Sequence, residues 1–216
     1  MLESKLVEKA VIKEVVMKKQ FIFTFLLIFS MLFTACSPAK TADKTNEEFK
    51  ATDIAGAEFA KALSLTDHTG KQRTLADFKG KVVALFFGYT HCPDVCPTTM
   101  FDLKNAMKLL GDKSNQVQVL FVTVDPQRDT QEVLAQFVPA FDSRFIGLRG
   151  SLQETAETLG SFKVFYSKVE GSSKDDYTID HSSGIYVFDK AGKVRLYMNY
   201  GEKSADMASD FSKLLQ

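Results

Sequence analysis

Two cysteines that lie close together are the residues in this sequence best suited to chemistry. Cys92 and Cys96 fall within the stretch THCPDVCPTTM, residues 90–100, and each is followed by a proline. A pair of thiols at this spacing could form a structural disulfide, act as a redox couple, or supply two ligands of a metal site. These roles need different partners elsewhere in the chain, so the rest of the sequence discriminates between them.

A purely structural disulfide is the weakest of the three roles. Closing so short a loop removes ~2 kcal/mol of chain entropy, against ~4.7 kcal/mol for a loop of a hundred residues. The chain carries only three cysteines in 216 residues, the third being Cys36. Secreted folds that depend on disulfides are shorter and richer in cysteine. A redox or metal-binding role for Cys92 and Cys96 is therefore favoured.

The two cysteines lie between a predicted strand and a predicted helix. Lys81–Tyr89 is a continuous apolar run, typical of a central strand covered on both faces. Pro97–Leu110 has apolar residues at helical spacing, and Val117–Asp125 is a second buried strand. Strand, helix and strand of these lengths predict a right-handed βαβ unit with parallel strands. We expect Cys96 at the helix N-cap and Pro97 at the first helical position, where the helix N-terminus stabilises a thiolate and lowers the thiol pKa.

The remaining elements predict an α/β fold. The further predicted elements are a hairpin with its turn at Asp67–Gly70, helices at Thr130–Phe137 and Leu152–Leu159, a short strand in FIGLRG (145–150), a polar loop over Ser167–Asp180, a hairpin with strands around Ile185–Phe188 and Val194–Tyr200, and a helix over Met207–Leu215. Turn residues and apolar periodicity support these assignments. Their order predicts a thioredoxin-like central sheet flanked by helices, with an extra N-terminal β-hairpin.

His181 is the predicted partner of the two cysteines. It precedes the strand that begins at Ile185, and antiparallel pairing of that strand with the one ending at Phe87 would hold His181 above Cys92 and Cys96. Thioredoxin-like proteins usually carry a proline at this place, and here a histidine replaces it. Two thiolates and one imidazole are soft ligands that suit copper, especially Cu(I), although zinc also accepts such a set.

Three stretches in this order resemble the SCO/SenC family, whose name refers to the synthesis of cytochrome c oxidase. They are FFGYTHCPDVCPTTM (86–100), VTVDPQRDT (122–130) and DHSSGIYVFD (180–189). The resemblance runs from about Phe59 to the C-terminal helix. It implies a thioredoxin-like fold that binds one copper ion, as Cu(I), Cu(II) or both, through Cys92, Cys96 and His181. It also implies a copper donor protein and a role in building the binuclear copper centre of cytochrome c oxidase subunit II, or of another copper protein.

Two further functions compete with copper delivery. The family that the sequence resembles also contains thiol reductases, so Cys92 and Cys96 could instead reduce the cysteines of the oxidase copper site. Three intervening residues rather than two, and His181 in place of proline, count against a general thiol–disulfide oxidoreductase. VCPTT is also similar to the surroundings of a peroxidatic cysteine, but Pro93 stands where peroxiredoxins require threonine.

Four other polar residues near these motifs need an explanation. Asp125 and Arg128 follow the second parallel strand at the sheet edge that carries the cysteines. The two residues are predicted to tune the protonation of the thiols or to meet a partner; the alternative is that Asp125 forms only a local Asp-Pro turn, which is favoured. His91 adjoins Cys92, but neighbouring loop residues point apart, so we expect no metal bond from it. His68 lies in the turn DHTG and is expected to be solvated.

The N-terminal region predicts that the protein is exported from the cytoplasm. Lys18 and Lys19 precede an apolar run, Phe21–Phe33, which is shorter than a membrane span and typical of a signal peptide. The small residues before Cys36 resemble a bacterial lipobox, although Phe33 stands where leucine is preferred; an uncleaved anchor helix is the alternative. The predicted segments are 1–16 upstream of the true initiator Met17, 17–35 a signal peptide, 36–56 the lipidated cysteine and a flexible tether, and 57–216 the domain. The domain is then expected in the periplasm or on the outer face of the cell membrane, held by lipid.

Composition excludes some classes of protein. Lys+Arg and Asp+Glu number 27 each, so no net field attracts nucleic acid, and basic runs with interleaved aromatic residues are absent. No feature of the sequence indicates an oligomer. The 19 phenylalanines and the absence of tryptophan predict a core packed by phenylalanine.

Overall fold

The computed structural model describes residues 48–60, 62–172 and 176–216. The predicted signal peptide, the predicted lipidation site Cys36 and the first part of the predicted tether lie outside these residues. Within the described part of the chain, no helix combines the length and the apolar character needed to span a bilayer.

A mixed β-sheet of eight strands forms the centre of the domain. The described residues form ten strands, eight in this sheet and two in a separate one. In chain order they are β1 (Thr52–Asp53), β2 (Ser64–Asp67), β3 (Gln72–Thr74), β4 (Val82–Gly88), β5 (Val117–Thr123), β6 (Ile146–Arg149), β7 (Tyr166–Glu170), β8 (Tyr177–His181), β9 (Ile185–Phe188) and β10 (Val194–Met198). Their order in the large sheet is β1-β10-β9-β4-β5-β6-β2-β3, and β7 and β8 form a separate two-stranded sheet. β4 pairs in parallel with β5 and antiparallel with β9. The predicted βαβ unit and the predicted pairing of β9 with β4 are both confirmed.

Helices cover this sheet. The α-helices of the described residues are α1 (Val95–Leu110), α2 (Gln131–Phe137), α3 (Leu152–Phe162) and α4 (Ser204–Leu214). Met100, Leu103 and Met107, which the sequence places at helical spacing, are fully buried on the inner face of α1. Every residue of β4 and of β5 is also buried, as expected for strands covered on both faces. The predicted α/β architecture is confirmed.

Phenylalanine rings fill the core beneath the central strands. The ring of Phe162 lies 5.1 Å from that of Phe87, 5.3 Å from that of Tyr186 and 6.1 Å from that of Phe188, measured between centroids. All three contacts have the edge-to-face geometry that aromatic pairs prefer. The hydroxyl of Tyr186 also donates to the carbonyl of Phe162 at 2.8 Å. This packing fixes β9 against β4 and α3, and it confirms the prediction of a phenylalanine core.

The domain includes residues before 57. Residues 48–56, which the sequence assigns to the tether, contact the domain instead. Thr52 and Asp53 form the edge strand β1, which pairs with β10, and the amides of Lys50 and Ala51 donate to the carboxylate of Asp210 at 2.8–3.0 Å. Phe49 and Ile54 also pack against the core. These few apolar residues form no periodic pattern, so the sequence does not mark the segment as part of the domain.

The segment 167–180 is a hairpin rather than the predicted polar loop. β7 and β8 pair antiparallel from Tyr166 opposite His181 to Glu170 opposite Tyr177. All residues of β7 are exposed, so the apolar alternation that usually reveals a strand is missing. Since His181 ends β8, the hairpin is the element that carries the predicted histidine ligand.

Candidate metal centre

The segment that leaves β4 brings both cysteines to the start of α1. Asp94 is the N-cap residue, so Cys96 is the second helical residue and Pro97 the third; the prediction of Cys96 at the N-cap was wrong by two positions. Proline is tolerated in the first helical turn, where its missing N–H would have no intrahelical partner. The backbone amide of Cys96 points at Cys92 Sγ, 3.4 Å away, which folds the loop back on itself.

The imidazole of His181 meets the two sulfurs. His181 Nε2 lies 3.4 Å from Cys96 Sγ, and the ligand atoms of Cys92, Cys96 and His181 all lie within 4.8 Å of one another. His181 Nδ1 is 3.0 Å from the carbonyl of Ser182. Because a carbonyl can only accept, Nδ1 carries the proton, and the lone pair of a neutral ring is on Nε2, toward the thiols. The structure thus brings together the three side chains that the sequence singled out.

Aromatic rings and one glycine shape the space around this cluster. The ring of His181 makes edge-to-face contacts with Phe86 at 6.3 Å and with Tyr89 at 5.9 Å. A Cβ at Gly88 would come within 3.0 Å of Cys96 Sγ and 2.9 Å of the Phe121 ring. Only glycine therefore leaves room at the end of β4 for the buried sulfur. The sequence shows this glycine but not the contact that requires it.

The two thiols have opposite properties. Cys96 is completely buried, whereas Cys92 is half-buried. The hydrogen bond from the Cys96 thiol, with further bonds from the backbone amides of Asp94 and Cys96, outweighs burial and lowers the pKa of Cys92 to about 3. The same bond to Cys92, together with burial, raises the pKa of Cys96. The prediction that the helix N-terminus lowers the pKa of Cys96 was wrong, because the proton shared by the pair stays on the inner sulfur.

Alkylation tests this difference. In the reduced, metal-free protein, we expect iodoacetamide to modify Cys92 at pH 5 and to leave Cys96 unmodified, as read by peptide mass spectrometry. A thiol of ordinary pKa is less than ~0.1% ionised at pH 5, so its rate would rise by hundreds of times toward pH 8. The rate at Cys92 should change by less than about threefold, since its thiolate is already formed. Urea-unfolded protein is the control, in which both cysteines should follow the ordinary profile; faster modification of Cys96 than of Cys92 in the folded protein would contradict the assignment.

A buried carboxylate behind the cysteine loop was missed by the sequence reasoning. Asp129 is fully buried and accepts from the amide and hydroxyl of Thr90 at 3.0 and 2.6 Å and from the Thr123 hydroxyl at 2.5 Å. Burial raises the pKa of Asp129, and its charge contributes to the raised pKa of Cys96. Asp129 therefore fixes the start of the cysteine loop through Thr90, and its charge helps to keep the Cys96 thiol protonated. The second aspartate of VDPQRDT was the available signal.

Asp125 has other partners. It accepts from Arg128 Nε and, at 3.0 and 3.2 Å, from the Tyr177 hydroxyl. Asp125 therefore contacts the hairpin that carries His181 and not the cysteine loop. The role predicted for Asp125 in tuning the thiols finds no direct contact among the described residues.

The other two histidines lie elsewhere. His91 is half-exposed, and its Nδ1 is 3.1 Å from the Thr90 hydroxyl. His68 is not the solvated residue that was predicted: it is partly buried, and its Nδ1 accepts from the amide of Gly147 at 3.0 Å. This bond fastens the turn after β2 to β6.

A cleft of ≈ 290 Å³ leads from solvent to the cluster. It runs between the loop Cys92–Val95 and the strand segment Thr178–His181, with Tyr89 and Ser183 at its sides. Cys92 and His181 line the cleft, whereas Cys96 lies behind them. A partner's side chain could therefore reach two of the three donor atoms without any change in the fold.

Comparison with known proteins identifies the family to which the chain belongs. The model of the SCO1/SenC family matches residues 48–216. The mitochondrial SCO2 homolog of Bos taurus is 40% identical over 150 residues, which cover 68% of this chain and 56% of that protein; the chain thus spans little more than half of this relative's length. The structure is similar to Bradyrhizobium japonicum ScoI with copper bound (34% identity, TM-score 0.66, 76% of this chain and 99% of that one). It is also similar to apo Sco1 from Thermus thermophilus (36% identity, TM-score 0.71, 79% and 99%). The three motifs, the fold and these matches agree, and the chain belongs to the SCO1/SenC family.

Proposed function

We propose that this protein binds one copper ion through Cys92, Cys96 and His181 and delivers it to the binuclear copper centre of cytochrome c oxidase subunit II. The observation that carries the proposal is the convergence of two sulfurs and Nε2 within 4.8 Å. Elements far apart in the sequence supply these atoms. Cys92 lies in the loop before α1, Cys96 lies in the first turn of α1, and His181 is the last residue of β8.

The chemistry of the donor set supports copper as the cargo. Thiolates and imidazole are soft or borderline ligands, and Cu(I) accepts two or three of them. Structural zinc sites are closed by four ligands, whereas the cluster in the described residues has three. The copper-bound state of the Bradyrhizobium japonicum relative also supports this choice.

The unequal exposure of the donors supports transfer by ligand exchange. Cys92 and His181 line the open cleft and Cys96 is buried behind them. A thiolate of an acceptor protein can replace the exposed donors one at a time, while Cys96 keeps its bond until the end. Such an exchange never leaves the metal without ligands.

The partners and the location are part of the same proposal. The acceptor is the oxidase subunit or another copper protein, and a donor protein supplies the copper. Lipidation of Cys36 would hold the domain at the membrane, in the periplasm or on the outer cell face, where the copper centre of the oxidase is assembled.

An anaerobic Cu(I) titration tests the proposed function. The reduced protein should take one equivalent of Cu(I) from a competing chelator. His181→Ala should lower the affinity at least about tenfold, the lower end of the cost of losing a residue that only orients a ligand, because here a ligand itself is lost while both sulfurs remain. His68→Ala is the matched control and should leave the affinity unchanged, since its imidazole accepts from the amide of Gly147 and is not one of the three proposed ligands. Equal affinities for the wild type and His181→Ala, with slower disulfide exchange in the variant, would favour the reductase function instead.

Reduction of the oxidase cysteines is the second candidate, favoured by the half-buried thiolate of Cys92. Cys92 would attack one sulfur of a partner disulfide, forming a mixed disulfide and releasing one partner thiolate. Cys96 would then lose its proton and attack Cys92, which releases the second partner thiol and leaves a Cys92–Cys96 disulfide. The partner gains two electrons in this step, and a cellular thiol reductant must restore the pair.

A further inference from the structure

The position of His181 depends on how the β7–β8 hairpin is attached to the rest of the domain. The two-stranded sheet of β7 and β8 has no strand pairing with the eight-stranded sheet among the described residues. The chain joins the end of β8 to β9 through residues 182–184. Side-chain contacts with the rest of the domain, called the body below, hold the remainder of β8 and so help to set the distance from the imidazole to the sulfurs.

The edge of β8 that faces away from β7 makes the attachment. Bonds from Gly171 N to Asp176 O at 2.6 Å and from Ser182 N to Phe165 O at 3.0 Å bracket the hairpin ladder. In an antiparallel pair the bonded positions alternate, so the even-numbered residues of β8 bond to β7. Tyr177, Ile179 and His181 therefore present their backbone groups to the body.

Two of these three residues are tied to the body through Tyr89 and Arg128. The amide of Ile179 donates to the Tyr89 hydroxyl at 3.2 Å. Arg128 Nη1 donates to the carbonyl of Tyr177 at 2.9 Å, and its guanidinium lies 3.5 Å from the centre of the Tyr177 ring. The Tyr177 hydroxyl in turn donates to Asp125 at 3.0 Å, and Asp125 accepts from Arg128. We call these three side chains, Asp125, Arg128 and Tyr177, the latch.

We infer that Tyr177 is a positioning residue that, through this latch, holds His181 within reach of Cys92 and Cys96. Tyr177 and His181 are the first and last residues of one short strand, about 13 Å apart at the usual rise per residue. A displacement of one end of so short a strand is passed to the other. This inference rests on the proposed function in one respect, which is that the metal bound by His181 is copper.

The chemistry of the latch suits an attachment that can open. Arg128 Nη2 is buried without a hydrogen-bond partner among the described residues, so the guanidinium is incompletely satisfied. A contact of this kind opens at lower cost than the packed core, as is usual for elements that move during binding. Opening would withdraw His181 and leave in place the two sulfurs, of which Cys92 lies in the loop before α1 and Cys96 in its first turn.

Amide exchange of the reduced, metal-free protein gives the first test. The Ile179 amide bonds to Tyr89 and reports detachment of the hairpin, whereas the Thr178 and Asp180 amides report the hairpin itself. We expect Tyr177→Ala to speed exchange at Ile179 at least about tenfold, with exchange in β4 and β5 unchanged. Tyr177→Phe keeps the ring under the guanidinium and should give an intermediate rate. Tyr200→Ala, a change of a tyrosine that is 45% exposed, is the matched control.

Copper affinity gives the second test. In competition with a chelator, Tyr177→Ala should weaken Cu(I) binding by about tenfold, within the range expected for residues that orient a ligand. Tyr177→Phe should restore part of the loss. Arg128→Gln should behave like Tyr177→Ala, while Arg195→Gln, which removes a similar pair with Asp53 at the far sheet edge, should have no effect.

The outcomes separate this inference from the proposed function. If amide exchange and Cu(I) affinity in Tyr177→Ala equal those in Tyr200→Ala, the positioning role of Tyr177 is refuted. Faster exchange at Ile179 in Tyr177→Ala with unchanged Cu(I) affinity would also refute it. If the wild type itself binds no Cu(I), the proposed function fails, and addition of Zn²⁺ as the probe decides the latch instead. Zn²⁺ binding that weakens in Tyr177→Ala supports the positioning role, and equal Zn²⁺ binding in the variant and in Tyr200→Ala overturns it.

Discussion

Replacement of Cys96 by serine is expected to lower the Cu(I) affinity of the reduced protein by more than about a thousandfold, beyond the ten- to hundredfold cost of losing an orienting partner. The serine hydroxyl is a hard oxygen donor that remains protonated at neutral pH, and Cu(I) prefers soft sulfur. Cys96 is also fully buried beside Gly88, and this close packing leaves little room for another side chain to replace its sulfur. Serine is nearly isosteric, and the fold should survive the change.

A competition titration with a Cu(I) chelator measures this loss. Cys36→Ser is the matched control, because it removes the third cysteine of the chain, which is not one of the three proposed ligands, and it should leave the affinity unchanged. Circular dichroism should show the same fold in both variants. Retention of wild-type affinity by Cys96→Ser would mean that the metal is held elsewhere, and the proposed centre would be wrong.

The central part of the fold could be predicted because burial on both faces leaves a clear mark in the sequence. The runs that became β4 and β5 are apolar at almost every position, and the helix between them repeats its apolar residues every three to four positions. Two parallel strands joined by a helix allow one handedness. These constraints sufficed to place the cysteines at the end of β4 and His181 beside them.

The β7–β8 hairpin could not be predicted, because its strands lack that mark. β7 is exposed at every position, and in β8 only Ile179 is buried. Hydrogen bonds between the two strands and the contacts of Tyr177 stabilise the hairpin instead of an apolar face. Long-range contacts of this kind leave no periodic pattern in the sequence. The predicted loop was wrong for this reason, although the placement of His181 did not depend on it.

The order of the two thiol pKa values also lay beyond the sequence. Helix position alone favoured a thiolate at Cys96, since a helix N-terminus attracts negative charge. The geometry decides otherwise, because Cys96 is buried near Asp129 and donates to Cys92, which faces the cleft. Which of two neighbouring sulfurs is buried depends on a rotation of the loop that residue types do not encode.

Replacement of Asp67 by asparagine is expected to give the largest loss of stability among polar substitutions away from the site. Asp67 is 1% exposed. It accepts from the amide and hydroxyl of Thr69 at 2.8 and 2.6 Å, from the Lys71 amide at 3.0 Å and from Arg73 Nε at 2.7 Å. One carboxylate thus closes the turn between β2 and β3. Asparagine carries no charge and cannot form the ion pair with the Arg73 guanidinium. The free energy of unfolding should therefore fall by about 2–3 kcal/mol at pH 7.

The pH dependence of this loss identifies its cause. Burial acts to raise the pKa of Asp67, but the hydrogen bonds from Thr69 and Arg73 outweigh it and hold the pKa well below its usual range. Because the folded pKa lies below the unfolded value of about 4, the charge stabilises the fold above that pH, and the contribution disappears as the pH falls. In urea, the free energies of unfolding of the wild type and Asp67→Asn should therefore differ most at pH 6–7, and the difference should shrink progressively as the pH falls below about 4. Asp77→Asn, an exposed carboxylate in the same region, should cost much less; a difference for Asp67→Asn that stays constant from pH 7 to pH 3 would show that the charge is not its cause.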